Sequence, residues 1–358
     1  MAKQFDNIHY SFREIDGYNK AINFIVSPRE LGKTTTFWYQ KAYLGWKKNK
    51  KPWLYLVRQA NEITEDLLEG ILLPINKFTD DNVEFEYPRR SLESGVMDVK
   101  IDGELFFRVL ALSTKIRKIK LSLIKDIAGV FMDEYIINPR RAEKYLKDEA
   151  GTLKEIYTTY RRESDGVLKM YFVGNLYSLY NPIWLWLGVD TNKIRQAITE
   201  ERDDIQTGNN WLVQFKMLTP ELRAFILENN PLYEFDEEYK KYALNGIPVN
   251  DENIRIGILP PSYRLRFVFR MENRNLAIYQ NNFWDDGEDR YFCDFIDEVG
   301  AKRTIYCFDF DQLINRAQVM SHDDRDKLNR FKIAMRKRQV VFSSVAVYYL
   351  IEEIYNNL

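Results

Sequence analysis

Residues 26–34 read Val26-Ser27-Pro28-Arg29-Glu30-Leu31-Gly32-Lys33-Thr34. The stretch follows a short apolar run, Ala21 to Val26, that is typical of a strand buried on both faces. It precedes Thr34 to Trp46, a segment of helical length and mixed polarity. A buried strand, a glycine-containing turn and a helix that begins with Lys and Thr form the arrangement that binds nucleotide phosphates.

The residue types in this turn match the chemistry of phosphate binding. Backbone N–H groups at the start of a helix point at bound phosphates. Lys33 is expected to reach the β- and γ-phosphates, and the Thr34 hydroxyl to bind Mg²⁺. The usual pattern is G-x-x-x-x-G-K-[ST], and Ser27 stands in place of its first glycine. The predicted ATP-binding residues are Ser27, Pro28, Arg29, Glu30, Leu31, Gly32, Lys33, Thr34 and Thr35.

A second motif lies at the end of another apolar run, Ile127 to Met132, which Asp133 and Glu134 follow directly. Asp133 is expected to hold Mg²⁺ together with Thr34, as the acidic residue after a buried strand does in phosphate-loop enzymes. Glu134 is a candidate general base that would polarise an attacking water. The pair favours an ATPase with an additional catalytic glutamate over a GTPase.

Two further side chains are candidates for contact with the γ-phosphate. Arg29 lies inside the loop and would reach the γ-phosphate from the same chain, whereas the alternative is an ordinary surface arginine. Asn175 closely follows the strand-like run Leu168 to Val173, where a polar sensor of the γ-phosphate or of the attacking water is expected. The alternative for Asn175 is a simple turn after a strand.

Basic residues stand out at two places. Arg161 and Arg162 end a predicted charged helix, Ala142 to Arg162, and are candidates for an arginine finger that completes a neighbouring subunit's site. A cation at a helix C-terminus is also favourable in its own right. A second group precedes the run Ile127 to Met132. It predicts contact with DNA phosphates, a residue that reaches a neighbouring subunit's ATP, or a solvated charged face. This second group contains Lys115, Arg117, Lys118 and Lys120.

Strand-like and helix-like stretches alternate over the first 200 residues, which predicts an α/β fold with a parallel central sheet. The character then changes to polar and helical, and after Ile247 to short strands separated by turns, which resemble a β-meander. We therefore expect an ATPase domain at 1–200, a helical linker at 201–246 and a small C-terminal domain at 247–358.

Composition restricts the function further. The 358 residues carry 52 Lys and Arg against 53 Asp and Glu, so nucleic acid would have to bind at a local patch rather than through bulk charge. Two cysteines exclude a disulfide framework, and two histidines make a His-based zinc site improbable. The sequence contains no apolar run of membrane-spanning length, and we expect no membrane partner and a cytoplasmic protein.

The pattern resembles the phi29-type DNA-packaging ATPases of small tailed phages. Order and spacing of the motifs agree over about the first 190 residues, and an arginine inside the phosphate loop belongs to that family's pattern. The stretches that carry the resemblance are Asn23 to Thr34, Tyr55 to Arg58, Val130 to Tyr135 and Gly174 to Pro182.

The resemblance implies a phosphate-loop ATPase of the additional-strand, catalytic-glutamate class that drives double-stranded DNA into a preformed capsid. It implies ATP and Mg²⁺ as cofactors, and a homomeric ring, five-fold in this family, at the portal vertex in the host cytoplasm. It further implies a short helical linker and an α+β C-terminal domain similar to an RNase H-like nuclease without its active site. Leu265 to Arg270, followed by Met271, offers no Asp on the expected first nuclease strand. A packaging RNA as partner stays open.

Two rival functions stay open from the sequence. A large terminase with both motor and nuclease activity predicts three or more convergent carboxylates in residues 262–358. A nucleotide-dependent scaffold predicts nucleotide binding without DNA-stimulated turnover.

Overall fold

The computed structural model describes residues 9–88, 95–115, 123–138, 144–163, 168–235, 237–248, 251, 253–271, 274–281, 290–308 and 317–357. The chain divides into two units, one of Met1–Ser178 with Pro182–Val249 and one of Leu179–Asn181 with Asn250–Leu358. The main division therefore lies three residues beyond the boundary predicted at 247. No helix in the described part of the chain is long and apolar enough to cross a membrane.

A mixed sheet forms the centre of the first unit. Its strands are β1 (Ile22–Ser27), β2 (Trp53–Val57), β3 (Val96–Ile101), β4 (Glu104–Ala111), β5 (Gly129–Met132), β6 (Met170–Asn175), β7 (Asp204–Thr207) and β8 (Trp211–Phe215). Among the described residues the order is β3-β4-β2-β5-β6-β1-β8-β7. All neighbours pair in parallel except β3 with β4 and β7 with β8 at the two edges. The predicted α/β fold with a parallel-rich central sheet is confirmed.

The strands at the centre of this sheet are buried almost along their whole length. Parallel strands carry covering elements on both faces, so their sequences are continuous apolar runs rather than alternating ones. This is why the runs at 21–26, 53–57 and 127–132 predict these strands correctly. In such a sheet the carboxyl ends of the parallel strands meet at one edge, and polar residues that follow them come together there.

Helices connect the strands of the first unit. They are α1 (Arg13–Gly17), α2 (Lys33–Thr36), α3 (Leu44–Asn49), α4 (Glu65–Phe78), α5 (Glu149–Arg161), α6 (Pro182–Leu187), α7 (Thr191–Thr199), α8 (Pro220–Asn229), α9 (Leu232–Phe235) and α10 (Glu237–Asn245). A π-helical segment, Phe37–Tyr43, joins α2 to α3. The α5 helix begins later than predicted, because the Asp148 carboxylate accepts a hydrogen bond from the Gly151 amide and caps the helix at that point.

The range predicted as a helical linker, 201–246, differs from the structure in its first part. Strands β7 and β8 occupy residues 204–215, and β8 pairs with β1 in the sheet of the first unit. The sequence prediction missed β7 because that strand is polar and only half-buried, as is usual for an edge strand. β8 is a buried run whose apolar residues the prediction did not use. The rest of the range is helical, in α8, α9 and α10.

Aromatic packing fixes the helix that follows the turn at 28–32 against the sheet. The Phe37 ring stacks on the Phe131 ring of β5, with centroids 3.5 Å apart and planes 7° apart. Phe37 also meets Trp53 of β2 edge to face at 4.8 Å. Aromatic pairs of this kind contribute about 0.5–1.5 kcal/mol each beyond area burial. The start of α2 is therefore held in a fixed position relative to the end of β5.

A second sheet forms the centre of the second unit. Its strands are β9 (Tyr263–Met271), β10 (Arg274–Asn281), β11 (Tyr291–Phe295), β12 (Ile305–Cys307), β13 (Ala317–Val319) and β14 (Val340–Phe342). The helices of this unit are α11 (His322–Lys327), α12 (Asn329–Arg336) and α13 (Val345–Asn357). Within the described residues the strand order is β13-β12-β9-β10-β11-β14.

The predicted β-meander is correct for only half of this sheet. β9, β10 and β11 follow one another in antiparallel pairs. β12 instead returns to lie parallel to β9, and β13 and β14 also pair in parallel with their neighbours. Short strands separated by turns do not reveal which strands pair across a long sequence separation, so the local pattern could not distinguish the two arrangements.

Candidate nucleotide-binding site

The turn between β1 and α2 has a backbone that requires glycine at its end. Gly32 precedes α2 with φ at 79°, in the left-handed region where glycine is favoured. A Cβ atom at Gly32 would lie 2.7 Å from His9 Cδ2, so the histidine side chain would have to move. Both the torsion angle and the neighbouring histidine therefore disfavour larger side chains. In this turn Ser27, Pro28 and Leu31 are buried, Arg29 and Thr35 are half-buried and Glu30 is exposed.

Lys33 lies at the carboxyl edge of the sheet between two strand ends. Its Nζ donates to Ser27 Oγ at 2.5 Å and to Asn175 Oδ1 at 3.3 Å. Ser27 and Asn175 are themselves opposite each other in the β1–β6 register. Burial lowers the pKa of Lys33 to about 8, while the negative charges of Asp133 and Glu134 act in the opposite direction. The ammonium group is thus desolvated but still mainly charged at neutral pH.

Thr34 and Asp133 form the second contact of the site. Thr34 Oγ1 donates to Asp133 Oδ2 at 2.7 Å, which joins the first turn of α2 to the end of β5. Burial raises the pKa of Asp133 to about 6, although the Thr34 hydrogen bond opposes the shift. The predicted pair of Mg²⁺ ligands is therefore adjacent in space, from positions 99 residues apart.

The donor set of this pair fits Mg²⁺. Mg²⁺ in phosphate-transfer sites is held by one or two protein oxygens and completes its shell with water and substrate phosphates. One carboxylate and one hydroxyl at the mouth of a phosphate-binding turn match that requirement. No group of three or more His, Cys, Asp or Glu side chains arranged for a metal occurs in the described parts of either unit. A metal at this pair would accordingly depend on the nucleotide for further ligands.

Glu134 follows with an unusual backbone. Its φ is 48°, a left-handed value that is uncommon for a residue other than glycine. Its amide donates to Asp133 Oδ1 at 2.9 Å, which holds the turn, and its side chain is exposed. Such strained conformations cluster at functional sites. The turn directs two consecutive acidic residues to different surroundings, one partly buried beside Thr34 and one accessible to water.

Arg29 contacts a tyrosine that the sequence analysis did not assign to the site. Arg29 Nη2 donates to the Tyr177 hydroxyl at 2.5 Å, and the guanidinium carbon lies 5.7 Å from the Tyr177 ring centroid. Tyr177 follows Asn175 by two residues, so the strand end that carries the predicted sensor also carries the partner of Arg29. The aromatic richness of residues 177–186 favours packing as the explanation, and that concealed the polar role of this hydroxyl.

A buried ion pair supports the same edge of the sheet and was also missed. Arg58, directly after β2, donates through Nε and Nη2 to the two carboxylate oxygens of Glu149 at 2.9 and 3.1 Å. The same Nη2 donates to the Tyr135 carbonyl at 2.9 Å. Arg58 thereby joins the turn after Glu134 to the first residue of α5. The sequence signals are its place after an apolar run and its place in a stretch that carries the resemblance, and neither identifies its partner.

The structure does not bring Arg161 and Arg162 to the phosphate-binding turn of their own chain. Both are exposed at the end of α5. The Glu163 carbonyl next to them accepts from the Asp126 amide at 3.4 Å, and Asp126 precedes β5. They therefore lie near the amino ends of the parallel strands, whereas Lys33 and Asp133 lie at the carboxyl ends.

The predicted basic DNA contacts are only partly described. Lys115 is exposed, four residues after the end of β4. The other three positions lie outside the described residues, and these are Arg117, Lys118 and Lys120.

Comparisons with known proteins give structural matches only. No protein-family model matches the sequence. No curated protein matches it. The solved viral genome packaging motor assembly of bacteriophage Phi-29 is similar with a TM-score of 0.73 and 15% identity, over 98% of this chain and 99% of that one. The Phi-28 gp11 DNA packaging motor is similar with a TM-score of 0.56 and 15% identity, over 98% of each chain. The resemblance predicted from the motifs is thus confirmed for the fold, and this chain shares the fold of the phi29-type packaging motors over nearly its whole length.

Proposed function

We propose that the protein is an ATP-driven double-stranded DNA translocase that packages a viral genome into a preformed capsid. The observation that carries the proposal is the convergence of Lys33, Thr34, Asp133 and Asn175 at one sheet edge, at the distances given above. A phosphate-binding turn, a Mg²⁺ ligand pair and a polar strand end are the parts that ATP hydrolysis requires. The fold shared with packaging motors selects DNA packaging among the uses of such a site.

Each residue of the site has a role that follows from its position. The Lys33 ammonium and the loop N–H groups bind the phosphates, and Arg29 can leave Tyr177 to reach the γ-phosphate. Thr34 and Asp133 would hold Mg²⁺, which neutralises the phosphate charge when bound. Glu134, which is accessible to water, accepts the proton of the attacking water.

Asn175 contacts Lys33 and so lies where it can respond to the γ-phosphate. Because β6 separates β1 from β5 in the sheet, Asn175 lies between the phosphate-binding turn and the acidic pair. A strand inserted between these two is the feature of the additional-strand ATPase class. The strand order therefore supports the assignment of the chain to this class, with Glu134 as its catalytic glutamate.

The strand order of the second unit supports an RNase H-like origin. Three consecutive antiparallel strands, β9 to β11, are extended by parallel β12 and β13 on the side of β9. This is the arrangement of strands in RNase H-like domains. β9 carries no acidic residue and ends at Met271, so the position where a nuclease of this type binds its metal has no ligand. We propose a vestigial nuclease that does not cut DNA.

The assembly we propose is a homomeric ring, a pentamer at the portal vertex of the capsid in the host cytoplasm. Arg161 and Arg162 would act on the neighbouring subunit's nucleotide. They lie near the amino ends of the parallel strands, whereas the site of their own chain lies at the carboxyl ends. Lys115 and the basic positions after it would contact the DNA phosphates.

ATP turnover measured with and without double-stranded DNA tests the function. We expect DNA to stimulate turnover severalfold and no DNA cleavage with Mg²⁺ or Mn²⁺. An ATP turnover rate that does not change when DNA is added would favour a nucleotide-dependent scaffold. Metal-dependent nicking that is lost when the chain is truncated after Ile247 would favour a large terminase with an active nuclease.

A further inference from the structure

Three contacts attach the phosphate-binding turn to the helical segment 230–246. The Arg29 amide donates to the Ala243 carbonyl at 2.9 Å. A Cβ at Gly246, whose φ is 65°, would lie 3.1 Å from Pro28 Cγ, so the segment packs closely on the turn. The third contact is made by the Glu30 side chain. The position of the turn therefore depends on residues far from it in sequence.

Glu30 makes the third contact under strain. Its φ is 62°, in the left-handed region that residues other than glycine seldom adopt. Its Oε1 accepts from the hydroxyl of Tyr233 at 2.5 Å and from Asn230 Nδ2 at 3.4 Å. Tyr233 is fully buried, whereas Glu30 is exposed, so the tyrosine is the fixed member of the pair.

A carboxylate within a phosphate-binding turn is electrostatically unfavourable. The turn presents N–H groups and Lys33 to an anionic ligand, and a mobile negative charge on it would repel that ligand. Tyr233 holds the Glu30 carboxylate on α9, and this limits how closely the charge approaches the phosphates. No other residue described in the turn from Ser27 to Thr34 is acidic.

We propose that Tyr233 is a positioning residue for ATP binding, which keeps the Glu30 carboxylate away from the nucleotide phosphates. The inference rests on the proposed function of the turn, because it concerns the same ligand. It assigns to the segment before the second unit a direct effect on nucleotide affinity. It also explains how a glutamate is tolerated at this position.

The test is a double-mutant cycle on ATP affinity, with Tyr233→Phe, Glu30→Gln and the double variant in the full chain. Tyr233→Phe keeps the buried ring and removes only the hydroxyl. With Glu30 present, a released charge that moves from about 12 Å to about 7 Å from an Mg–ATP charge of about −2 should raise the Kd for ATP about fivefold at an effective dielectric constant of about 40, between those of bulk water and a protein surface. In the Glu30→Gln background the same tyrosine change should alter the Kd less than twofold, because no charge is released.

The rescue by Glu30→Gln separates this role from a structural one. Equal losses of affinity in both backgrounds would mean that the hydroxyl only stabilises the segment, and would overturn the proposal. No loss in either background would overturn it as well. Should Tyr233→Phe not fold, Asn230→Ala replaces it in the same cycle. It should lower the ATP affinity by a smaller factor, and only when Glu30 is present. Additive losses would contradict the proposal there too.

Two controls complete the experiment. Tyr348→Phe removes a tyrosine–glutamate hydrogen bond of the same kind, to Glu352 at 3.1 Å in the second unit, and should leave the Kd for ATP unchanged. Lys33→Ala tests the binding site itself. If the wild-type chain does not bind ATP, or Lys33→Ala binds it equally well, the proposed function fails. If both behave as expected and the cycle is additive, only the role of Tyr233 fails.

Discussion

ATP affinity should fall steeply between pH 7 and pH 9, because the ammonium that holds the phosphates titrates in this range. Burial lowers the pKa of Lys33 to about 8. The protonated fraction is then about 0.9 at pH 7 and about 0.09 at pH 9 in the free protein. Bound phosphates raise the pKa again, so that only the protonated form binds well. The apparent Kd for ATP should therefore rise about tenfold over these two pH units.

Equilibrium titration with ATP and excess Mg²⁺ at pH 7, 8 and 9 measures this change. Lys33→Arg is the matched control, since a guanidinium stays charged over the whole range. The ATP affinity of this variant, whatever its absolute value, should vary little with pH. Any variation that remains would come from titration of the nucleotide or of other protein groups. A flat profile in the wild-type protein, or the same tenfold change in Lys33→Arg, would refute the assignment of Lys33 as the phosphate ligand.

Four further outcomes follow from the same geometry. Glu134→Gln should bind ATP normally but lower turnover about 10²–10⁴-fold, as measured by single-turnover hydrolysis, because an amide cannot accept the water's proton. Since burial raises the pKa of Asp133 to about 6, turnover should fall about tenfold from pH 7 to pH 5, and added Mg²⁺ should shift that decline to lower pH. Arg161→Ala or Arg162→Ala should lower turnover with ATP binding retained, and mixing with Glu134→Gln subunits should restore part of it; no rescue in verified mixed rings would remove both arginines as trans fingers. Arg58→Ala should lower the free energy of unfolding by about 3–5 kcal/mol in denaturant titrations, because it leaves a carboxylate buried without its partner, and a loss under 1 kcal/mol would contradict that.

The sequence predicts which side chains meet at the carboxyl ends of the first sheet's strands, because their placement depends on residue type and nearby order. Lys33 and Thr34 come after a buried strand, and Asp133 directly follows another, so parallel pairing alone brings them to the same end of the sheet. Residue order and parallel strand pairing were enough to predict the contact between Thr34 and Asp133. The helix start at α5 and the edge strand β7 were less predictable, because a single cap or a half-buried polar strand leaves little periodic signal.

Contacts between residues far apart in sequence could not be predicted. Tyr177, Tyr233 and Arg58 have ordinary surroundings in sequence, and their roles come from partners that only the folded chain places beside them. The same limit applies to the second sheet, where the parallel return of β12 to β9 depends on packing rather than on local pattern. Residue type indicates what a side chain can do, and topology decides where it does so.

ATP-dependent displacement of a third strand from double-stranded DNA tests the central claim most directly. A triplex-forming oligonucleotide bound to linear duplex is released when a motor moves along the duplex, and binding without movement does not release it. We predict release by the wild-type ring with ATP and Mg²⁺, and none by Glu134→Gln or with a non-hydrolysable nucleotide. ATP hydrolysis by a verified ring on the duplex without any release would contradict the account.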